Sequence, residues 1–145
     1  MAESAFQLTI GESVRFSKTI TETDLAMFCA ISGDFDPIHV DETYARSSVF
    51  GQRIAHGILS MAMLSTVAAK ISQRAKERGG TATSVSMGYD KIRFLKPVFL
   101  GDTLTANYKI ERFDLAKSRS ISRVEILNQK DQQCVVGIHL MKWLD

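Results

Sequence analysis

The sequence has few cysteines, few prolines and no strong excess of either charge. Its 145 residues include two cysteines and two prolines, and the formal net charge is +2. Two cysteines as far apart as Cys29 and Cys134 do not indicate a disulfide-rich secreted domain. The first residues also lack the basic and then apolar pattern of a secretory signal. We therefore expect free thiols in a reducing, cytoplasmic setting.

Neither a nucleic-acid partner nor a membrane segment is indicated. The densest basic group, Lys70 to Arg78, falls at the end of a helical pattern, where it suits the negative end of the helix dipole. Basic residues form no stripe interleaved with aromatic side chains, as nucleic-acid binding would favour. The longest apolar stretch, Gly57 to Ala69, is interrupted by hydroxyl side chains and is shorter than the roughly 20 residues that cross a bilayer.

The composition is that of an ordinary globular domain. Hydrophobic residues make up 45% and charged residues 23% of the chain, which is typical of globular proteins with one core. No internal repeat, low-complexity tract or linker divides the sequence. We interpret residues 1–145 as a single domain.

Two helices are indicated before the strand-rich second half. Thr21 to Asp24 has the spacing of a capping box, which predicts a short helix that stops at Gly33. His56-Gly57 opens a nearly all-apolar segment that turns polar after Lys70 and ends at Gly79-Gly80. A helix that is apolar all round is a buried helix. Between the two lies a long excursion without periodicity, so we expect an overhang of loop and short helix.

Strand patterns surround these helices. One precedes the first helix, at Val14 to Ile20, and four follow the second, at residues 85–94, 104–110, 120–127 and 134–141. Short connections favour antiparallel pairing, and a sheet that covers one long apolar helix gives an α+β fold. A single sheet leaves free edges that invite pairing. The sequence therefore predicts an antiparallel sheet around a central helix, in a homodimer.

The segment from Asp34 to His39 carries the residues best suited to acid–base chemistry. Asp34 follows Gly33 at a predicted helix end, and Pro37 stiffens the loop before His39. A carboxylate and an imidazole held in this way can bind one water molecule, with one group removing a proton and the other protonating substrate carbon. An Asp after a helix-ending Gly can also simply turn the chain, and His39 can be a structural histidine.

Gly57 is a candidate substrate-binding residue. It stands where the amides of the long helix have no partners within the helix and the dipole is positive. Without a side chain, it lets a ligand approach the backbone, and a thioester oxygen that gains negative charge would be stabilised there. The alternative is that Gly57 only caps the helix and that His56 is a packed cap residue.

Four segments together resemble the MaoC-like, (R)-specific enoyl-CoA hydratases. They are Ser32-Gly-Asp-Phe-Asp-Pro-Ile-His39, Tyr44-Ala45, Ile54-Ala-His-Gly57 and Phe94-Leu-Lys-Pro-Val-Phe-Leu-Gly-Asp-Thr-Leu104. The resemblance implies a hot-dog fold, a homodimer and reversible hydration of a trans-2-enoyl acyl-CoA thioester to the (R)-3-hydroxyacyl-CoA. It implies that Asp34 and His39 activate water and that the amide of Gly57 binds the thioester oxygen.

The resemblance implies no metal and no redox cofactor, since coenzyme A is part of the substrate. The histidines and cysteines also lack the spacing of a zinc site. One departure concerns Asp36, which stands where the family usually has Asn before the Pro. A second carboxylate beside Asp34 leaves open which of the two is the base, and we expect Asp34 from its place in the motif.

Three other functions fit the same motifs. The thioester could be carried by an acyl-carrier protein, as for a dehydratase of fatty-acid synthesis. Hydrolysis of the thioester also occurs on hot-dog folds and would require water to attack the carbonyl carbon. A non-catalytic acyl-CoA-binding module would not need Asp34, His39 and Gly57 as a set. The sequence does not indicate acyl chain length or branching.

Overall fold

A five-stranded antiparallel sheet packs against one long helix, in the arrangement that the hot-dog resemblance implies. The computed structural model describes residues 4–144, so residues 1–3 and 145 of the predicted domain lie outside the described part. The strands are β1 (Ser4–Ala5), β2 (Leu8–Thr9), β3 (Ser13–Thr19), β4 (Thr83–Phe94), β5 (Thr103–Asp114), β6 (Arg119–Leu127) and β7 (Gln133–Leu144). The helices are α1 (Glu22–Ser32), α2 (Pro37–Val40), α3 (Glu42–Ser47) and α4 (Gly57–Glu77), with a 3₁₀ turn at Leu115–Lys117.

The sheet order is β3-β5-β6-β7-β4, with every neighbouring pair antiparallel. β7 lies between two strands, which agrees with its nearly continuous apolar sequence. β3 and β4 are the two edges of the sheet. The four strands predicted after the long helix are therefore confirmed, as is the α+β class.

One face of α4 and the alternating side chains of β5 form the centre of the core. Leu64, Val67 and Ile71 of α4 are fully buried. They belong to the same cluster as the buried positions of β5, which are Leu104, Ala106, Tyr108 and Ile110. Each fully buried aliphatic side chain of this kind contributes about 1.5–3 kcal/mol to stability. The clean alternation in β5 follows from a strand that has one face on the core.

The predicted start and stop of the first helix are confirmed at atomic detail. The Thr21 hydroxyl accepts a hydrogen bond from the Asp24 amide, and the Asp24 carboxylate accepts one from the Thr21 amide. Gly33 ends the helix with φ of 77°, a left-handed conformation that glycine adopts at no steric cost. The end of the helix therefore fixes the backbone position of the next residue, Asp34.

The prediction that the long helix is buried all round is wrong for the single chain. Ile58, Ala62, Ser65 and Ala69 are exposed along one side of α4, and Ile58 is 55% exposed. These positions recur at helical spacing and form a stripe, which we call the open face of α4. The sheet covers one side of the helix, and a groove of about 450 Å³ stays open between α4 and β4.

The region between α1 and α4 contains two short helices where the sequence shows no periodic run. α2 has 4 residues and α3 has 6, too few for a hydrophobic repeat to be recognised. Both begin at an aspartate whose side chain accepts a backbone amide: Asp36 for α2 and Asp41 for α3. We call residues 22–56, which include α1, α2 and α3, the overhang.

A polar cluster on the sheet is centred on the buried side chain of His139. The two ring nitrogens of His139 contact the Tyr108 hydroxyl at 2.9 Å and the Ser86 hydroxyl at 2.8 Å. His139 is fully buried on β7, and its burial lowers its pKa to about 4. Burial likewise raises the pKa of Tyr108 to about 12. Both groups are therefore neutral at physiological pH.

Among the described helices, none has the length and apolar character needed to span a membrane.

Candidate active site

Asp34 is held by hydrogen bonds with its immediate neighbours in the chain. Its amide donates to the Ser32 hydroxyl at 3.1 Å, and its Oδ1 accepts from the Asp36 amide at 3.1 Å. Turns of this kind are characteristic of Asp and Ser side chains that follow a helix end. Oδ2 of Asp34 takes no part in them, and the side chain is 50% exposed. One carboxylate oxygen therefore builds the loop, and the other lies 3.8–4.0 Å from the Nε2 atoms of His39 and His56.

Asp36 has a structural partner that explains its presence before the proline. Its Oδ1 accepts a hydrogen bond from the Ile38 amide at 3.0 Å and so caps α2. Asn and Asp serve about equally well as N-caps. The structure thus accounts for an Asp where the resembling family usually has an Asn, and it gives Asp36 a role that requires no acid–base chemistry.

His39, on α2, presents one ring nitrogen toward Asp34. Its Nδ1 donates to the Ile54 carbonyl at 2.7 Å, which places the proton of the neutral ring on Nδ1 and the lone pair on Nε2. Nε2 lies 4.0 Å from Oδ2 of Asp34. This distance is too long for a direct hydrogen bond, but one oxygen atom can lie within hydrogen-bond distance of both groups.

His56 is a candidate site residue that the sequence did not single out. It precedes α4 and is 3% exposed, and its side chain makes no cap bond to the helix. Its Nε2 donates to the Asp34 carbonyl at 3.1 Å, while its ring stacks on that of His39 with centroids 3.7 Å apart. The ring therefore contacts both Asp34 and His39. The His-Gly pair at the start of the buried helix was the signal that could have identified it.

Ring nitrogens of His39 and His56 and a carboxylate oxygen of Asp34 lie within 4.8 Å of one another. A metal ion would need a lone pair from each histidine. Nε2 of His56 carries the proton that it donates to the Asp34 carbonyl. Of the two Nε2 atoms near the Asp34 carboxylate, only that of His39 therefore has a lone pair. The donor set thus fits a proton-handling site better than a zinc site, and the absence of a metal stays a prediction.

Arg53 ties the parts of the overhang together. Its guanidinium forms ion pairs with Glu22 of α1 and with Glu42 of α3. It also donates to the His39 carbonyl at 3.4 Å. The planar, forked guanidinium holds two carboxylates and a carbonyl in a fixed geometry, which the compact ammonium group of a lysine does not reproduce. The guanidinium therefore sets the position of the segment that carries the catalytic candidates.

Gly57 is the first residue of α4, and its surroundings leave no room for a side chain. A Cβ at this position would lie 2.7 Å from Cε1 of Phe94. The glycine lines a pocket of about 370 Å³ whose walls also include Ile54, Ser60 and Phe94. Since Ile54 also accepts the His39 hydrogen bond, the pocket adjoins the Asp34 and His39 pair. The structure thus brings all three predicted site residues into one region; their roles stay predictions.

Comparison with known proteins gives the same family as the motifs. Residues 5–133 match the family described as "MaoC like domain". The chain belongs to this family. Among its relatives is an (R)-specific enoyl-CoA hydratase of Aeromonas caviae, 30% identical over 139 residues that cover 96% of this chain and 98% of that protein. Another, from Rhodospirillum rubrum, is 38% identical over 100 residues, which span 69% of this chain and 64% of the relative.

Solved structures of MaoC-like proteins superpose closely on the chain. The (R)-hydratase from A. caviae involved in PHA biosynthesis has a TM-score of 0.83 at 28% identity, covering 97% of this chain and all of that one. R-hydratase PhaJ1 from Pseudomonas aeruginosa has a TM-score of 0.80 at 32% identity, covering 95% of this chain and 83% of the other. The hot-dog fold implied by the sequence is therefore confirmed.

Proposed function

We propose that this MaoC-like chain is an (R)-specific enoyl-CoA hydratase. It adds water reversibly to a trans-2-enoyl-CoA thioester and gives the (R)-3-hydroxyacyl-CoA. The observation that carries the proposal is the 4.0 Å separation between Nε2 of His39 and Oδ2 of Asp34, next to the pocket that begins at Gly57. Two relatives that match more than two thirds of this chain are (R)-specific enoyl-CoA hydratases by name.

The pair is arranged to move one proton from water to carbon. A water molecule that bridges Asp34 and His39 attacks C3 of the enoyl group as one of the pair removes its proton. The resulting enolate takes one proton at C2, and the pair returns to its starting protonation state. The remaining O–H becomes the 3-hydroxyl group. Such paired acid–base work accelerates a reaction by about 10²–10⁴-fold per positioned group.

The start of α4 supplies the electrostatic part of the reaction. When water adds at C3, negative charge develops on the thioester oxygen. The amides of the first turn, from Gly57 onward, have no carbonyl partners within the helix, and the helix dipole is positive at this end. Fixed donors of this kind stabilise an oxyanion by about 3–4 kcal/mol each in comparable enzymes. The lack of a side chain at Gly57 lets the oxygen come within reach.

We further propose that the active form is a homodimer built along β4. This edge strand exposes Val85 and Met87, which are 39% and 50% accessible. The groove between β4 and α4 lies beside this strand. It adjoins the open face of α4, which begins at Ile58. A second copy would pair the free strand edge and cover the groove and the open face of α4, which would restore the burial that the helix sequence predicts.

The remaining features of the proposal concern cofactors, thiols and setting. Hydration changes no oxidation state overall, so the reaction requires no redox cofactor. We propose that it also uses no metal, and coenzyme A enters with the substrate. Cys29 and Cys134 are free, buried thiols, which suits a reducing cytoplasm. We propose that residues 1–145 work as one domain in that setting.

The experiment is a hydration assay on a chain-length series of trans-2-enoyl-CoA thioesters. Loss of the conjugated-enoyl absorbance is followed for wild type, Asp34→Asn and Asp36→Asn. Wild type is expected to hydrate at least one thioester and Asp34→Asn to lose at least about 10²-fold in rate. Asp36→Asn is the matched control, because Asn keeps the cap on α2, and its rate should stay within about twofold of wild type.

Four outcomes would contradict parts of this proposal. Equal loss in both Asp variants would mean that Asp36 also takes part in the chemistry and is more than a helix cap. Release of free coenzyme A with the double bond intact would indicate a thioesterase. Turnover with enoyl thioesters of an acyl-carrier protein but with none of coenzyme A would move the substrate to the carrier protein. Acyl-CoA binding without any turnover would indicate a binding module.

A further inference from the structure

Ser60 is a buried hydroxyl with no hydrogen-bond partner among the described residues. It is fully buried on α4, and its Oγ lacks any acceptor or donor there. It lines the same pocket as Gly57. Because Ser60 lies three residues further along the helix, it sits about 4.5 Å deeper along the helix axis. The hydroxyl is therefore placed beyond the point where the thioester oxygen would bind.

The rest of this pocket is largely apolar. Its walls include Ile54, Phe94, Leu95, Val98 and Val135. An unpaired hydroxyl buried beside an apolar ligand is unfavourable, because it gives up its hydrogen bonds to water and gains none. A pocket meant for plain alkyl chains would be better served by an alanine or a valine at this position, because neither leaves a polar group unpaired.

Two partners could satisfy the Ser60 hydroxyl when the pocket is filled. One is the His56 carbonyl, four residues earlier on the helix, which already accepts the Ser60 amide at 3.3 Å; serine side chains in helices do make this bond to the preceding turn. The other is a polar atom of the bound acyl group. In the structure the hydroxyl does not bond to the His56 carbonyl, which leaves it available to the pocket.

We infer that Ser60 is a specificity-determining residue that hydrogen bonds to an oxygen substituent on the acyl chain. The preferred substrates are then 2-enoyl thioesters that carry a hydroxyl or carbonyl group a few bonds beyond the double bond. This inference rests on the proposed function, since it places the thioester oxygen at Gly57. It names a substrate class that the catalytic residues do not determine, because Asp34 and His39 act on C2 and C3 in any enoyl chain.

The test compares 2-hexenoyl-CoA with its 4-hydroxy and 5-hydroxy derivatives, using wild type, Ser60→Ala and Ser60→Thr. Wild type should favour at least one hydroxylated thioester in kcat/KM. Ser60→Ala should lower the selectivity ratio, which is kcat/KM for that thioester divided by kcat/KM for 2-hexenoyl-CoA, about tenfold or more. Ser60→Thr keeps a hydroxyl and should retain the preference for the hydroxylated substrate. The selectivity ratio is the readout, because a merely structural defect would lower all three rates together.

A binding measurement separates this inference from the hydratase proposal. Saturated hexanoyl-CoA and its 4-hydroxy and 5-hydroxy derivatives are titrated calorimetrically into wild type and Ser60→Ala. Tighter binding of a hydroxylated thioester that is lost in Ser60→Ala supports the inference even if no enoyl thioester is hydrated. Equal affinity for the plain and hydroxylated thioesters in both proteins, or equal kcat/KM for them, would overturn it and leave the Ser60 hydroxyl bonded within its own helix.

Discussion

The imidazole of His56 lies against the imidazole of His39, with ring centroids 3.7 Å apart and ring planes inclined by 29°. His56 also donates to the Asp34 carbonyl. One buried ring at the start of α4 therefore fixes the backbone of one catalytic candidate and the side-chain orientation of the other. It links the chemistry of the overhang to the helix whose amides face the pocket.

We expect substitution of His56 to lower kcat far more than it raises KM. His56→Gln can keep a donor toward Asp34 but loses the stacked ring, and His56→Phe keeps the ring but loses the donor. Because misplacement by about 1 Å can cost 10²-fold in rate, each variant should lose about 10- to 100-fold in kcat. Steady-state kinetics measure the split between kcat and KM. Unchanged kcat in both variants would make His56 only a packed cap residue.

Gly57→Ala should damage the site without weakening the fold. Its Cβ would lie 2.7 Å from Cε1 of Phe94, so the aromatic ring must move. Phe94 is 51% exposed and can do so, while alanine favours the helix by about 1 kcal/mol relative to glycine. We expect activity to fall at least tenfold while the melting temperature stays level or rises. The double variant Gly57→Ala, Phe94→Leu should recover part of the activity, and a double variant as impaired as the single one would contradict this reading.

Stability should fall on mild acidification because of His139. Its folded-state pKa of about 4 lies below the value of about 6.5 expected in the unfolded chain. The unfolded state therefore binds more protons between these values, and stability decreases as pH falls from 6.5 toward 4. Between pH 7 and pH 5 this group alone accounts for about 2 kcal/mol of unfolding free energy. Urea unfolding of wild type and His139→Gln at both pH values measures it; equal losses in the two proteins would exclude His139 as the cause.

Arg53→Lys should impair catalysis more than folding. Lysine keeps the charge but cannot bridge Glu22 and Glu42 as the forked guanidinium does. The hydrogen bond to the His39 carbonyl would also be weakened. We expect kcat to drop about tenfold or less. The urea midpoint should change little, because lysine keeps the charge and both glutamates are exposed, and ion pairs with exposed partners contribute about 0–1 kcal/mol. Arg46→Lys, which alters an exposed pair on α3, is the matched control. A similar drop in kcat in that control would contradict a specific role for Arg53.

The parts of the molecule that the sequence predicted correctly depend on neighbours close in the chain. The capping box at Thr21 and the stop at Gly33 need only side chains within a few residues of each other. The alternation of β5 needs only the period of a strand. The order of the motifs placed Asp34, His39 and Gly57 in one site, and the structure brings them together.

The parts that were not predicted depend on distant or missing surroundings. The bond from His56 to the Asp34 carbonyl joins residues that are 22 positions apart, and no local pattern encodes it. The direction in which Ser60 faces depends on how α4 is rotated against the sheet. The residues of the open face of α4 are apolar or small, so the sequence predicts that they are buried in the core. Composition does not reveal which side of a helix the single chain leaves uncovered.

The overhang has few buried side chains, so a melting curve of the whole protein does not report whether the active site is assembled. Leu25 and Cys29 are the buried residues of α1, α2 has none, and α3 has Ala45. Segments with so little buried surface can open locally while the rest of a protein stays folded. The calorimetric transition of this protein should therefore reflect the sheet and α4. A preparation can melt normally and still hold a displaced Asp34, so hydrogen exchange at the overhang amides, more than a melting curve, would reveal whether the site is assembled.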